Sequence, residues 1–267
     1  MRKSLQIFFF LVIALSANAQ HLTHDVGFFA GLANMETDYG KDEGFFNRLA
    51  ISTLSISVVH YLQFFNIDTR WNSTNDLANH VMLKSEFNFL TKKTYKHLGK
   101  FTTGNGLDAQ KLRAMTGTMT VSSFGVQGEY YFKDLREFMF PYSEMKWNPY
   151  LNIGLAYSFY TNTLESSFGS GDWRQDITIL HEKYRNPGEL DVGSSGSFSF
   201  ILGAGTRYKL TEKFDLAANL NWQYFFSDTL DGLKSHHISN KHNEWLLNFQ
   251  VGIIYHLNFA GGIFCKK

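Results

Sequence analysis

EWLLNFQVGIIYHLNF, residues 244–259, is the stretch on which the fold turns. It is too apolar for a surface loop, and Asn and Gln interrupt it too often for a membrane helix. Read with a period of two, it separates into two faces. Trp245, Leu247, Phe249, Val251, Ile253, Tyr255 and Leu257 share one parity, while Leu246, Asn248, Gln250, Gly252, Ile254 and His256 share the other. Successive side chains of a strand point to opposite sides, so this strand has one wholly apolar face and one mostly polar face.

Seven more segments repeat the pattern, with apolar parities over 26–32, 54–62, 81–89, 124–132, 151–159, 198–208 and 214–226. None of these apolar faces carries Asp, Glu, Lys or Arg. A cationic side chain facing mid-bilayer lipid costs about 2–4 kcal/mol, a penalty that a soluble barrel has no reason to avoid. The opposite parities are rich in Ser, Asn, Gln and Gly, as a hydrated or hydrogen-bonded lumen requires. Eight is an even number, as closed bacterial barrels have. The expected fold is all-β: an antiparallel up-and-down transmembrane β-barrel of eight strands with long extracellular loops. Ile177, Ile179 and Tyr184 in the 160–195 connection leave open an added hairpin, which would make ten strands, or an extension of strands above the membrane.

Aromatic residues predict where the membrane interfaces lie. Phe214 begins one segment, which ends with Trp222, Tyr224 and Phe226; the closing segment begins at Trp245 and reaches Tyr255. Paired antiparallel, these clusters fall at two levels with aliphatic residues between them, and Tyr208 joins the set. The expectation carries a test: Leu220→Arg and Phe249→Arg should impair assembly more than Asn221→Arg.

The N-terminus adds a compartment. Arg2 and Lys3 precede an apolar run from Ile7 to Leu15, and Ala17-Asn18-Ala19 precedes Gln20. This is the pattern of a secretory signal peptide, with 1–19 removed, a barrel over 20–259 and a short tail over 260–267. The single cysteine, Cys265, permits no intramolecular disulfide, and no base is placed beside it. A net charge of +1 gives no basic excess for nucleic acid.

The segments VVHYL (58–62), KLRAMTG (111–117), YFFSDTLDGL (224–233) and NKHNEWLLNFQVGIIYHL (240–257), with AQ after the leader, carry a resemblance over most of the mature chain. The sequence resembles the uncharacterised outer-membrane β-barrel proteins of Bacteroidota. Members of that family are sometimes called glutamate dehydrogenases, a name these residues do not support. The resemblance implies an outer-membrane location and no particular reaction. Such barrels commonly end near an aromatic residue, matched here by Phe259.

Motifs for chemistry are sparse. Gly104-Asn105-Gly106-Leu107-Asp108-Ala109 fits G-x-G-x-x-A, but a dinucleotide site needs it inside a βαβ unit, and period-two segments flank it. Gly203-Ala204-Gly205 lies inside a strand, where its glycines relieve crowding. Asp228, Asp231, His236, His237 and His242 match no recognised metal loop. No catalytic residue, cofactor or metal is assigned, and the chain is read as a non-enzyme. The inward charges Lys84, Glu86, Glu129, Arg207 and Asp215 are expected to pair within a lumen that eight strands leave just wide enough to fill. The expected partners are outer-membrane lipid and, at the loops, a protein or a small apolar ligand passing laterally. Two alternatives stand beside this: a component of an envelope assembly or secretion machine, and a secreted lipocalin-like barrel with its apolar face turned inward.

Overall fold

The computed structural model describes residues 23–37, 52–64, 77–97, 100–140, 143–169, 172–186, 188–233 and 244–257. The leader, the tail with Phe259 and Cys265, and His236, His237 and His242 lie outside them. Eight strands follow in order: β1 (Thr23–Glu36), β2 (Thr53–Gln63), β3 (Val81–Lys96), β4 (Met115–Tyr131), β5 (Trp147–Ser166), β6 (Ser194–Lys209), β7 (Phe214–Phe225) and β8 (Trp245–Leu257). Each pairs antiparallel with its neighbours in sequence, and β8 pairs back onto β1, closing the barrel. No strand edge is left open. The ten-strand alternative is overturned, because Ile177–Ile179 and Glu182–Tyr184 form 3₁₀ turns and not a hairpin.

The apolar parities face outward and the polar parities inward on every strand. Leu220 and Phe249, register partners, are exposed, while Asn221 and Asn248 beside them are buried. A lipocalin-like barrel needs the reverse, so that alternative loses its basis. Between the aromatic levels the outward positions of all eight strands carry no Asp, Glu, Lys or Arg. Trp245 pairs with Tyr224 and Tyr255 with Phe214. Ten residues of a tilted strand separate Trp245 from Tyr255, about 25 Å along the barrel axis, which matches the apolar band of a membrane barrel. Beyond that band the outer faces of β3, β4 and β5 turn to Lys92, Thr94, Lys96, Thr116, Thr118, Thr161, Thr163 and Glu165.

Alternation alone puts connections over 92–116 and 160–195, and those polar extensions correct both limits. Residues 92–96, 115–116 and 160–166 belong to strands, and 107–114 form a helix, α1 (Leu107–Ala114), where a loop was expected. A β-bulge between Leu90 and Lys93 re-aims β3 as it leaves the band. A second short helix, α2 (Leu135–Met139), connects β4 to β5 and is capped by the Asp134 carboxylate, which accepts from the backbone N–H groups of Arg136 and Glu137.

The interior is mostly, and not uniformly, polar. At the end where β1 begins, Phe29, Val59, Tyr61, Met82, Tyr131, Leu135, Tyr150, Ala217 and Ile254 form a buried cluster. Leu135 brings α2 onto it as a plug. At the loop end a larger cluster includes Leu90, Tyr95, Leu112, Met115, Met119, Tyr160, Leu164, Ile179, Leu180, Tyr184, Leu230, Leu233 and Leu246. The amide and hydroxyl part of the lumen lies between these two clusters, while the cluster at the β1 end is interleaved with charged side chains, Tyr61 being the register partner of Asp25 and of Lys84.

Candidate functional site

Alternation places the lumen charges, and the barrel's curvature decides which of them meet. Lys84 and Glu86, two residues apart on β3, share the inner face. Lys84 Nζ lies 3.1 Å from Glu86 and 3.5 Å from Glu129 on β4. Glu86 also accepts from Ser57 at 2.8 Å and from Gln127 at 2.8 Å, and Glu129 accepts from the Tyr131 hydroxyl at 2.6 Å.

Arg207 and Asp215 belong to a separate group. Arg207 Nη1 is 3.4 Å from Asp25 and 3.8 Å from Asp215. His256 stands between the same carboxylates, with Nδ1 2.9 Å from Asp25 and Nε2 3.2 Å from Asp215. An imidazolium, with an N–H on each side, is the form that donates to both. Gln63 Nε2 donates to Asp25 at 2.5 Å. The Arg207 guanidinium lies 4.1 Å from the Tyr61 ring centroid and 5.5 Å from that of Tyr131, within reach of cation–π attraction. The five charges read from sequence therefore form two clusters. Asp25, His256 and the Tyr61, Tyr131 and Tyr150 collar complete them.

Inward parity was the available signal for the tyrosines, since Tyr61 shares the face of Ser55 and Ser57. What parity lacked was cross-barrel distance: Asp25 and Arg207 are 182 residues apart in sequence.

Above the charges lies an amide and hydroxyl layer. Gln250 and Asn88 each donate to Ser55 and Ser57; Asn152 donates to Gln127 and Asn221, and Gln223 to Ser199. A cavity of about 20 Å³ lies among Glu86, Asn88, Gln127, Asn221, Gln223 and Asn248. That is room for one or two water molecules. Gly203 and Gly205 let β6 fit here. A Cβ on Gly203 would collide with the Asn221 side chain, and one on Gly205 with the Tyr150 ring.

The loop cap is built on hydrogen bonds as well as apolar contact. Asn162 donates to the carbonyls of Thr229 and Leu230 at 3.0 and 3.1 Å and accepts from Gly193 N–H at 2.8 Å. Lys111 of α1 donates to the Thr178 carbonyl at 2.6 Å. Glu244, immediately before β8, accepts from the N–H groups of Leu230 and Asp231 at 3.0 and 3.4 Å. Burial, and then the nearby Asp231 carboxylate, push its carboxyl up to about 9.

The aromatic residues form an outer set. Phe214 and Tyr255 rings lie 5.1 Å apart, and Tyr208 meets Trp147 edge-on at 5.9 Å, at the end where β1 begins. Trp222 and Tyr224, 5.8 Å apart, and Tyr224 and Phe226, 6.2 Å apart, lie at the other end with Trp245. Phe226 falls just past β7, where its N–H donates to the Phe198 carbonyl at 2.9 Å.

Gly106 does precede a helix, α1, contrary to the loop expected there, but the all-antiparallel barrel has no βαβ unit around it. Asp231 caps the Leu233 N–H at 2.8 Å. Among the described residues no group of three or more His, Cys, Asp or Glu is arranged to hold a metal ion.

No protein-family model matches the chain, and no curated protein matches it. Solved structures do. Neisserial surface protein A is 12% identical, with 88% of this chain and 97% of that chain covered, at a TM-score of 0.45. A major outer membrane protein from Thermus thermophilus is 13% identical over 88% and 99%, also at 0.45. Ail, the attachment invasion locus protein of Yersinia pestis, is 11% identical over 89% and 100%, at 0.43. These are likenesses of outline; the eight-strand closure rests on the hydrogen-bonded ladders themselves.

Proposed function

We propose that this chain is an integral, non-enzymatic outer-membrane β-barrel whose lumen does not conduct and whose ordered loop cap serves interaction with a partner outside the cell. The observation that carries the membrane reading is the charge-free outer band, bounded by aromatic residues at both levels and followed by polar strand extensions. Burying such a band in lipid removes an apolar area that water would penalise. The non-conducting reading is supported by apolar clusters at both ends of a lumen filled by side chains. Every ladder around the barrel is continuous apart from the bulge in β3, which favours interaction at the loops over lateral passage of an apolar ligand. The resemblance to Bacteroidota barrels and the leader pattern point to the same envelope.

Fractionation tests this reading. The protein should co-sediment with outer membranes, need detergent for extraction, and migrate faster on gels unheated than boiled. Recovery in a detergent-free periplasmic or secreted fraction would refute it.

A further inference from the structure

His24 and His60 face outward on adjacent antiparallel strands. The β1–β2 register sets His24 opposite Leu62 and His60 opposite Val26, so the two imidazoles are diagonal neighbours on one face. Val26 also opposes Tyr255, which places the pair at the level of the aromatic residues near the start of β1. His24 is half-buried and His60 exposed. Nδ1 of His24 and Nε2 of His60 share a hydrogen bond of 2.9 Å, with ring centroids 5.2 Å apart and planes 31° from parallel. These are two titratable side chains on an outer face that is otherwise apolar along both strands from Val26 to Leu32 and from Leu54 to Val58.

We propose that His24 and His60 form a two-imidazole site for a divalent first-row transition-metal ion, Cu²⁺ or Ni²⁺ ahead of Zn²⁺. Imidazole nitrogens bind such ions at about 2.0–2.1 Å, so two nitrogens at right angles about the metal are roughly 2.9 Å apart, and two at a tetrahedral angle roughly 3.3 Å. The 2.9 Å of this imidazole–imidazole hydrogen bond is also the spacing of neighbouring positions in a square-planar or tetragonal shell, the geometry that Cu²⁺ and Ni²⁺ prefer, so a metal ion would take the place of the shared proton. Neighbouring strands of a closed ladder hold the two Cβ atoms in place, so little ordering remains to be done on binding. Among the described residues no third His, Cys, Asp or Glu is grouped with the pair to hold a metal ion, so solvent at the interface would supply the rest of the shell.

The test is titration of the full-length folded barrel in detergent with CuCl₂ at neutral pH, read by electron paramagnetic resonance. The sequence holds ten histidines, so the comparison is between variants. His24→Ala and His60→Ala should each lose one equivalent of bound Cu²⁺ together with a signal showing coupling to two nitrogens, and His80→Ala should keep both. Retention of that equivalent and its two-nitrogen signal in the His24 and His60 variants overturns the site. If a variant fails to fold, the wild-type protein decides: Cu²⁺ should shield His24 and His60 from diethylpyrocarbonate modification, read by mass spectrometry. Equal modification with and without Cu²⁺ overturns the proposal.

Discussion

Arg207 is fully buried, and its neighbours are Asp25, Asp215 and the faces of Tyr61 and Tyr131. Removing one partner of a buried ion pair strands the others, at a cost of about 3–5 kcal/mol. Arg207→Ala should lower unfolding free energy in lipid vesicles by that order, measured by denaturant titration. Adding Asp25→Asn should restore part of the loss, since Asp25 and Asp215 would otherwise have only His256 as a shared cationic partner; additive losses would speak against a shared network. Glu244 gives a prediction of a different kind. Its carboxyl ordinarily titrates at 4.5 and in the fold at about 9, so between those values the folded cap holds a proton that the open state does not. Cap stability is therefore fully present below about 4.5 and declines as pH rises through 9. Glu244→Gln keeps an acceptor for Leu230 and Asp231 and removes the titration. Hydrogen-exchange protection of those two amides, corrected for intrinsic rates, should fall with pH in the wild type and stay level in the variant.

At the scale of a strand, β7 and β8 carry the decisive asymmetry. Leu220 and Phe249 oppose each other on the outer face, so Leu220→Arg or Phe249→Arg should each cost about 2–4 kcal/mol in a bilayer. Refolding yield and unfolding free energy in vesicles are the readouts, and an unchanged value for either would place that face out of lipid. Asn221 is not the mild control that parity alone suggested. It is buried, accepts from Asn152 at 3.0 Å and abuts Gly203, so an arginine there would have to displace the packed amide layer. A fair polar control is Thr163→Arg, on the polar extension of β5 beyond the band. Alternation legibly assigned faces on all eight strands. It could not see that β3, β4 and β5 continue past the band, because the amphipathic signal ends where water lies on the outside.

For the whole molecule, the two caps matter more than the lumen's polarity. Side chains fill an eight-stranded barrel, and the space left among the amides is about 20 Å³. Reconstituted into planar bilayers, the protein should show no stable channel openings. A large, steady conductance would mean that both α2 and the loop cap leave the lumen, contrary to the burial of Leu135 at one end and of Leu230 and Leu246 at the other.

Although the choice between eight and ten strands stayed open, eight amphipathic segments, their outward and inward parity, the positions of the aromatic residues and the identity of five inward charges were legible in the amino-acid sequence. Each depends on a local period or on the chemistry of a single position, and a period of two survives any arrangement of the strands. It took the closed barrel to set Lys84 beside Glu86 and Glu129, and Arg207 beside Asp25, Asp215 and His256. The same closure seals the ends with α2 and the loops, and brings two histidines together on the outer face. These facts depend on register, which draws residues far apart in the chain to within a few ångströms, and no period in the sequence encodes that distance.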